Sequence, residues 1–562
     1  MKSAFRKALL LAALPFVLPA CVKTSSEIGK DLVDLSLLYD TYTVEFPIEE
    51  IQLRRANDLS GFSDTRITIG AIRDETFGLT TRSSAFSLVP AVDTLDLGTD
   101  PEFVKFKLHM GADTVSTAHP GQEHIFQNLY VYALTDTLDS KNSGTNRDIP
   151  HGDEIVTRGI PVYNGKDSLS FEFTREYGQK YIDILKKIGP VLATRDEDNA
   201  VSRYKDYILA VPGIYIETDA PKGYGGRINL FELSVLSVSN NYYYRNDNVA
   251  TLTVRSTYNG VRKDTSFLFI PGEPTLYNEA EYLENNQKFY QYAFNRTSHE
   301  TPEGWAADHI YIEGGGGLKP VFPAAPIRDK VIQAITERGG SPSKTVINKA
   351  SLILPYQLPE DVSEVDLFPS MLSPTIRNTD SDGTVSYGGL TDASASSENQ
   401  GTLDRANLWY APDITYHLQE ILQRTDLDTK DNADVWLLTV HSETTANATG
   451  NAEQEAYYQQ MMYAMYYNNL YGGYGGYGGY GYSSYGYGGY GGYGGYSNYY
   501  NYYLMAQMYA SMNQTTYSTT QELDKDRFYR AILNGPDATE KDPNTGKLRV
   551  PTFRVTFSIP KG

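Results

Sequence analysis

From about residue 40 onward, hydrophobic and polar residues mostly alternate, and turn residues interrupt the alternation at short intervals. Leu169, Phe171 and Phe173 alternate with polar residues in one such run, and segment 553–559 repeats the pattern. A period of two residues is typical of antiparallel strands with one buried face. The chain is therefore predicted to be mainly β.

Two short stretches have the period of a helix instead. Tyr177, Tyr181 and Ile188 fall on one apolar stripe, and segment 414–422 forms a second stripe. A strand is predicted before each helix and several strands after it, in the same order. After the first helix, the first of these predicted strands covers residues 207–211. This shared order predicts two tandem jelly-roll-like antiparallel β-sandwich modules, each with a short helix. The alternative is coincidence, since residue identity between the two halves is low.

The chain divides accordingly into six predicted parts. They are a signal peptide (1–20), a lipidated tether (21–40), a first sandwich module (41–272), a connecting segment (273–345) and a second sandwich module (346–562) that contains a tyrosine-glycine insertion (461–503). The connecting segment contains the run Gly314–Gly317. We interpret this run as a turn between domains, because it lacks the Gly-Lys-Ser/Thr ending of a phosphate-binding loop.

Cys21 is the only cysteine of the 562 residues, and it follows a segment that is typical of secretory signals. Lys2, Arg6 and Lys7 precede an apolar run that is too short to span a bilayer as a helix. The junction resembles a bacterial lipobox, in which the cysteine carries the lipid that anchors the protein to the bilayer. The alternative is an ordinary signal peptide followed by a stray cysteine. Val22 in the second mature position favours the outer membrane and leaves its face open.

The formal net charge is −20, and the mature chain is more acidic still, because the first 20 residues contain basic side chains but no acidic one. Nucleic-acid binding depends on Lys and Arg neutralising phosphates, so a nucleic-acid partner is not expected. With Cys21 lipidated, no thiol is left for a disulfide or for cysteine redox chemistry.

The insertion at 461–503 consists of Gly-Gly-Tyr repeats, and it is predicted to be a disordered loop of the second module. One interpretation is an expanded loop without function, tolerated because loop closure entropy grows slowly with length. The other is a tract whose tyrosines stack on glycans, on aromatic residues or on like tracts. The tyrosines proposed for this binding are Tyr471, Tyr474, Tyr477, Tyr480, Tyr490, Tyr493 and Tyr496.

Candidate chemistry elsewhere is sparse. Asp380 and Asp382 flank a turn, and Asp426 and Asp428 form a second acidic pair, so both places offer oxygens to calcium. Neither has the spacing of an EF-hand loop, and Asx-turns account well for Asp-Gly clusters, so calcium binding is the less favoured interpretation. No cofactor and no catalytic residue is predicted.

Five motifs across the mature chain carry a family resemblance. They are Ile28–Leu32, Gly70–Gly78, Gly159–Tyr163, Tyr311–Gly317 and Ile347–Leu352. In this order they resemble the Bacteroidota lipoproteins of domain-of-unknown-function family 4270. Glu313 departs from that pattern, since such proteins more often have Gln there. The resemblance implies a β-rich envelope lipoprotein and brings no known activity.

Three functions follow as hypotheses. The first is a non-enzymatic, outer-membrane-anchored lipoprotein whose sandwich loops and tyrosine-glycine tract meet a polymer, such as a glycan, or a protein partner. The second is an accessory subunit of an outer-membrane assembly or export complex that docks on a barrel protein. The third, which the sequence supports least, is a glycan hydrolase.

Overall fold

The computed structural model describes residues 39–561, with gaps at residues 64, 93, 139–142, 158, 195–200, 234–236, 240–241, 245–247, 273–292, 301–306, 382, 391, 393–400, 425–426, 428–432 and 448–515. The predicted signal peptide, Cys21 and most of the predicted tether lie outside the described residues. No helix within the described ranges is long and apolar enough to cross a membrane.

Strands dominate the described chain. In chain order they are β1 Tyr39–Pro47, β2 Gln52–Arg55, β3 Phe62–Ser63, β4 Arg66–Asp74, β5 Gly78–Pro90, β6 Thr99–Met110, β7 Thr114–Thr117, β8 Gln127–Leu134, β9 His151–Glu154, β10 Val162–Tyr163, β11 Leu169–Glu172, β12 Ala193–Thr194, β13 Val201–Ser202, β14 Ile214–Thr218, β15 Gly225–Glu232, β16 Ser237–Ser239, β17 Tyr242–Tyr244, β18 Asn248–Tyr258, β19 Val261–Gly272, β20 Ala293–Glu300, β21 His309–Glu313, β22 Leu318–Phe322, β23 Val346–Pro355, β24 Met371–Thr379, β25 Val385–Gly389, β26 Trp409–Tyr410, β27 Val435–Asn447, β28 Thr516–Leu523, β29 Arg530–Asn534 and β30 Thr552–Pro560.

Helices are few and short. The α-helices are α1 Arg175–Ile188, α2 Tyr204–Ala210, α3 Ala324–Glu337 and α4 Thr415–Ile421, and two 3-10 helices cover Pro342–Lys344 and Val362–Leu367. Every strand pair with a register in the described residues is antiparallel, so the predicted mainly-β, antiparallel class is confirmed.

The strands form two main sheet groups. The first sheet group is a 14-stranded sheet built from strands between residues 62 and 300. The second sheet group comprises the four-stranded sheet β1-β30-β23-β26, the six-stranded sheet that contains β22, β27 and β24, and the pair β21-β29. Two further strand pairs, β12-β13 and β16-β17, are separate two-stranded sheets.

Sheet membership follows other boundaries than the predicted 41–272 and 346–562. β1 pairs with β30 from Tyr39–Pro560 to Pro47–Thr552, and β2 pairs with β22, so segment 39–55 joins the second sheet group. The predicted connecting segment contributes β20 to the first group and β21 and β22 to the second. β1 joins the second group because its more buried side chains alternate in step with the buried side chains of β30. This pairing brings the two ends of the described chain together.

Each sheet group encloses its own hydrophobic core. In the first group, α1 lays Tyr177 and Tyr181 over the sheet, and the Phe106 ring lies 4.9 Å from the Tyr181 ring. The Tyr177 hydroxyl donates to Gly213 O at 3.2 Å, and the Tyr207 hydroxyl donates to Leu88 O at 2.6 Å. Tyrosine is tolerated in this core because its hydroxyl finds a backbone acceptor.

The second core lies between α3, α4 and the four-stranded sheet. Phe553, Val555 and Phe557 of β30 are completely buried there, and Val331 of α3 packs in the same cluster. The C-terminal strand predicted from alternation is therefore confirmed as a central strand, paired on both sides by β1 and β23.

The two predicted helices are confirmed as α1 and α4, whereas the strand predicted over 207–211 is wrong. Residues 204–210 form α2, because Tyr204, Tyr207 and Ile208 bury one face at helical spacing. Three apolar residues in a short run fit either period, and packing against the first core decides between them.

The pairing pattern recurs between the two sheet groups. β6 pairs with β11 and β18, as β23 pairs with β26 and β30. β14 pairs with β5 and β8, as β27 pairs with β22 and β24. β4 pairs with β15 as β21 pairs with β29, and the helices α1 and α4 follow β11 and β26. The recurrence thus extends from the order of the elements to their neighbours in the sheets.

Candidate functional site

β27 and β28 form the hairpin that carries the tyrosine-glycine insertion. Their register runs from Val440–Leu523 to Asn447–Thr516. Before residue 441, β27 also pairs with β24 and β22, but beyond it β28 is the one strand partner found in the described chain. The two strands therefore continue past the sheet as a ribbon, which at 3.3 Å per residue is roughly 23 Å long.

The ends of the insertion meet at this ribbon. The chain leaves the described region at Asn447 and returns at Thr516, and these two residues are register partners. An insertion bounded in this way leaves the pairing of the sheet intact. The predicted binding tyrosines, from Tyr471 to Tyr496, lie within 448–515 and so outside the described residues, as does Cys21.

Of the four acidic residues proposed for calcium, the structure describes only Asp380. Its backbone N–H donates to Thr384 O at 2.9 Å, and its carbonyl accepts from Gly383 N at 2.9 Å, in the turn between β24 and β25. Asp382, Asp426 and Asp428 fall outside the described residues. Within those that are described, no group of three or more His, Cys, Asp or Glu side chains is placed to hold a metal. Calcium binding by the acidic pairs stays a prediction.

The run Gly314–Gly317 forms the tight turn between β21 and β22, at the contact of the two sheet groups. A Cβ atom on Gly315 would lie within 3.0 Å of the Arg82 guanidinium, and one on Gly316 within 3.0 Å of the Thr145 hydroxyl. Gly315 also has a φ of +55°, which disfavours other residues. Arg82 belongs to the first sheet group, so the glycines permit the close approach of the two groups.

The Glu313 carboxylate, just before this turn, bridges the sheet groups. It accepts hydrogen bonds from Arg55 Nη1 at 3.0 Å and from Leu318 N at 3.1 Å within the second group. From the first group, Thr80 Oγ1 lies 3.4 Å and His299 Nδ1 3.5 Å from Glu313 Oε1. The carboxylate is thus surrounded by donors and is 1% exposed.

The charge state of this site is shifted by its surroundings. Burial alone would raise the pKa of Glu313, but His299, Arg55 and the Leu318 N–H stabilise the carboxylate and lower the pKa to about 2. Burial lowers the pKa of His299, although Glu313 acts in the opposite direction. The Arg55 guanidinium forms an ion pair with the Glu313 carboxylate at 3.0 Å.

The buried Lys319 side chain contacts the backbone of the glycine turn. Its Nζ donates to the carbonyl of Glu313 and lies 3.4 Å from the carbonyl of Gly317. Burial lowers the pKa of Lys319 to about 7, although Glu313 acts in the opposite direction. A lysine amine therefore satisfies carbonyl groups that a tight glycine turn leaves facing inward.

A second polar contact joins the groups beside the first. Asp526, between β28 and β29, accepts from Ser63 Oγ at 2.6 Å and from Asn295 Nδ2 at 2.7 Å. Arg82 Nη1 donates to Lys525 O at 3.0 Å, and Lys525 Nζ donates to Phe62 O at 2.7 Å. Every one of these bonds crosses from one sheet group to the other.

The cluster fits a structural role better than a catalytic one. Glu313, Lys319 and Arg82 are each 1% exposed, and the hydrogen bonds they form are to other groups of the protein. A catalytic acid or base must instead reach a bound substrate. The arrangement can therefore fix the relative position of the two sheet groups.

Sequence reasoning did not identify this cluster. Glu313, His299 and Asp526 come from distant parts of the chain, and among them only Glu313 lies in a motif of the sequence analysis, Tyr311–Gly317. One signal was available: Glu313 directly precedes the glycine run, where the resemblance led us to expect Gln. An acidic residue beside a turn that demands glycine indicates a partner of opposite charge nearby.

Comparisons with known proteins identified no relative: no protein-family model, curated protein or solved structure matches this chain. The resemblance to the Bacteroidota lipoprotein family 4270 therefore stays a prediction.

We predict that Gly315→Ala destabilises the protein much more than Gly339→Ala. Both glycines have positive φ, but nothing lies within 4 Å of a Cβ atom on Gly339. Gly339→Ala should cost about 1 kcal/mol of unfolding free energy from backbone strain alone. Gly315→Ala must also displace the buried Arg82 and should cost about 3 kcal/mol. Chemical denaturation measures both, and equal losses would show that close approach at the turn is unimportant.

We predict that Glu313→Gln lowers stability at neutral pH and that this difference from the wild type shrinks in acid. The folded-state pKa of about 2 lies below the ordinary 4.5, so the stabilisation by the carboxylate is complete above pH 4.5 and declines as the pH falls toward 2. The measurement is the difference in unfolding free energy between the two proteins at pH 7 and at about pH 3. A difference that is the same at both pH values would contradict the assigned charge state.

Proposed function

We propose that this chain is a non-enzymatic envelope lipoprotein, anchored to the outer membrane through Cys21, that presents sandwich loops and the tyrosine-glycine tract to a polymer or protein partner. The observation that carries the proposal is the register of the β27-β28 ribbon, whose paired ends at Asn447 and Thr516 bracket the tract. An insertion placed there can contact a partner without disturbing either core.

The recurrent pairing supports the further proposal that the chain contains two tandem jelly-roll-like modules. β5, β14 and β8 in one group correspond to β22, β27 and β24 in the other. In this proposal the second module is completed by β1, which the chain supplies before the first module begins. A rigid pair of modules, fixed by the contacts of Glu313 and Asp526, would hold the ribbon in a constant direction.

The position of β1 agrees with an anchor at Cys21. β1 begins at Tyr39, so only 17 residues separate the proposed lipid at Cys21 from the second sheet group. β1, which follows the proposed anchor, then belongs to the same sheet group as the strands of the ribbon, although the two are far apart in sequence.

One observation favours the alternative role as an accessory subunit of an outer-membrane complex. β1 is the end strand of its four-stranded sheet, and no strand pairs with its outer edge within the described part of the chain. Open edges can accept a strand from a partner protein. Co-purification of a stoichiometric barrel protein after mild detergent extraction would favour this alternative.

We predict that Cys21→Ala abolishes lipid attachment. Cells that grow with radiolabelled palmitate should incorporate label into the wild-type protein and into a Lys23→Ala control, but not into Cys21→Ala. The labelled acyl chains belong to a diacylglycerol that is joined to the cysteine sulfur through a thioether, whereas Lys23 lies outside the lipobox. Label that remains on Cys21→Ala, or that is missing from the wild type, would exclude the anchor.

We predict that replacing residues 448–515 with Asn-Gly leaves the fold intact and removes binding to the partner of the tract. Asn-Gly closes a two-residue hairpin, and the register partners Asn447 and Thr516 are already adjacent. The thermal midpoint should change by no more than about 2 °C. Retention of bound polymer or protein after detergent extraction is the second measurement. Unchanged retention would contradict a binding role of the tract, and a large fall in the midpoint would contradict its position as a simple connection.

A further inference from the structure

The face of β8 and β14 that lies opposite the first core carries an unusual row of side chains. Tyr132 opposes Tyr215 and Tyr130 opposes Glu217 across this antiparallel pair, so the four share one face of the sheet. The residues between them on β8, such as Val131, are buried in the first core on the opposite face. Tyr215 is 3% exposed and packs with the half-buried Tyr132 in a separate small hydrophobic cluster. The row becomes accessible to solvent toward the half-buried Tyr130 and the exposed Asn128.

Aromatic rings cover much of this face. The Tyr132 and His151 rings lie 4.7 Å apart, and the His151 and Tyr215 rings 5.0 Å apart. Phe126, one residue before β8 and at the alternate position to Asn128, is 77% exposed. It is the most exposed large hydrophobic residue recorded for the described chain.

A second apolar residue widens the exposed end of the row. Val162 of β10 opposes Asn128 of β8 and is 54% exposed. Phe126 and Val162 thus expose apolar surface at neighbouring positions, although burial of such side chains is the normal outcome of folding. We name the surface formed by Phe126, Asn128, Tyr130, Tyr132 and Val162 the aromatic face.

Carboxylates at the aromatic face already accept hydrogen bonds from hydroxyl groups. Asp219 accepts from the Tyr130 hydroxyl at 3.1 Å and from Asn128 Nδ2 at 2.9 Å. Glu217 accepts from the Tyr215 hydroxyl at 3.0 Å. Ionised carboxylates accept several hydrogen bonds each, so Asp219 retains acceptor capacity toward further hydroxyl groups.

Arg227 fixes the backbone beside Phe126 through hydrogen bonds to its carbonyl groups. Its guanidinium is completely buried and donates to the carbonyls of Glu123 at 2.9 Å, Ile125 at 2.6 Å and Tyr163 at 3.1 Å. Ile125 and Tyr163 directly adjoin Phe126 and Val162. Exposed apolar side chains on a backbone fixed in this way lose little entropy when a ligand binds.

We propose that the aromatic face binds a neutral polysaccharide, with Phe126 and Tyr130 stacking on sugar rings and with Asp219 accepting hydrogen bonds from sugar hydroxyls. Exposed rings offer flat apolar surface to the C–H faces of sugars, and carboxylate and amide groups beside them match the hydroxyls. The inference rests on the proposed binding role of the protein, and it is independent of both the lipid anchor and the tyrosine-glycine tract.

The charge of the surface selects neutral over anionic glycans. Asp219 and Glu154 act electrostatically on Tyr130, and Glu217 acts with them on Tyr132. Arg296 is the basic group that reaches the adjoining Tyr215, and it is itself paired with Asp148 at 3.1 Å. An acidic surface repels sulfate, phosphate and uronate groups.

Affinity electrophoresis of the purified full chain tests the proposal. Gels contain a soluble β-glucan, a soluble α-glucan or a galactomannan as neutral probes, and polygalacturonate as the anionic probe. We expect at least one neutral probe to retard the wild-type protein. Phe126→Ala and Tyr130→Ala should each weaken that binding by about tenfold, the scale of one lost stacking contact. Tyr130→Phe, which keeps the ring, should bind more tightly than Tyr130→Ala.

Two controls make the outcomes distinct. Tyr416→Ala removes a tyrosine that is 53% exposed on α4, far along the chain in the other sheet group, and should bind like the wild type. The chain with 448–515 replaced by Asn-Gly should also retain binding. Retardation by polygalacturonate alone, or by no neutral probe, would overturn the proposal. Loss of binding only in the replaced chain would also overturn it and would leave the proposed role of the tract standing. A protein partner lost with Phe126→Ala, without any glycan binding, would assign the face to protein recognition instead.

Discussion

The contact of the two sheet groups combines small apolar clusters, such as Phe77 with Tyr311 and Leu318, with a buried polar network, and the arrangement of the two groups depends on that network. Glu313 receives hydrogen bonds from both groups, and Asp526 is held by Ser63 and Asn295 on the opposite side. Buried groups of this kind lose much free energy if one partner is removed, because the other is left without a hydrogen bond. The relative position of the groups is therefore defined sharply, whereas two apolar surfaces could slide.

Space at this contact is as important as charge. Gly315 leaves the room that the Arg82 guanidinium occupies, and Lys319 fills the inside of the same turn with a hydrogen-bond donor. The glycines and the lysine depend on each other. Without Lys319, the buried carbonyls of Glu313 and Gly317 in this turn would lose their hydrogen-bond donor. The glycines, the lysine and the glutamate thus form one unit of sequence that spans only residues 313–319.

Much of the local structure follows from the sequence. Alternation predicted the strands at 169–173 and 553–559, and helical spacing predicted α1, because each buries a continuous apolar face. The error over 207–211 arose where the apolar run was too short to fix a period. Sheet membership was harder, since the pairing of Tyr39 with Pro560 depends on a partner more than 500 residues away. The aromatic face was missed for the same reason: Tyr130 and Asp219 meet only through the pairing of β8 with β14.

The pairing of β1 with β30 has a mechanical consequence. Any tension on the chain that precedes Tyr39 enters the fold through β1, whose nine register pairs with β30 run the full length of the strand. A pull along the strand direction loads the hydrogen bonds of all nine pairs in shear at the same time, so they must break together. A pull at right angles would open them one after another from the Tyr39 end. A protein held at its N-terminal side is thus strongest against forces that act along this strand.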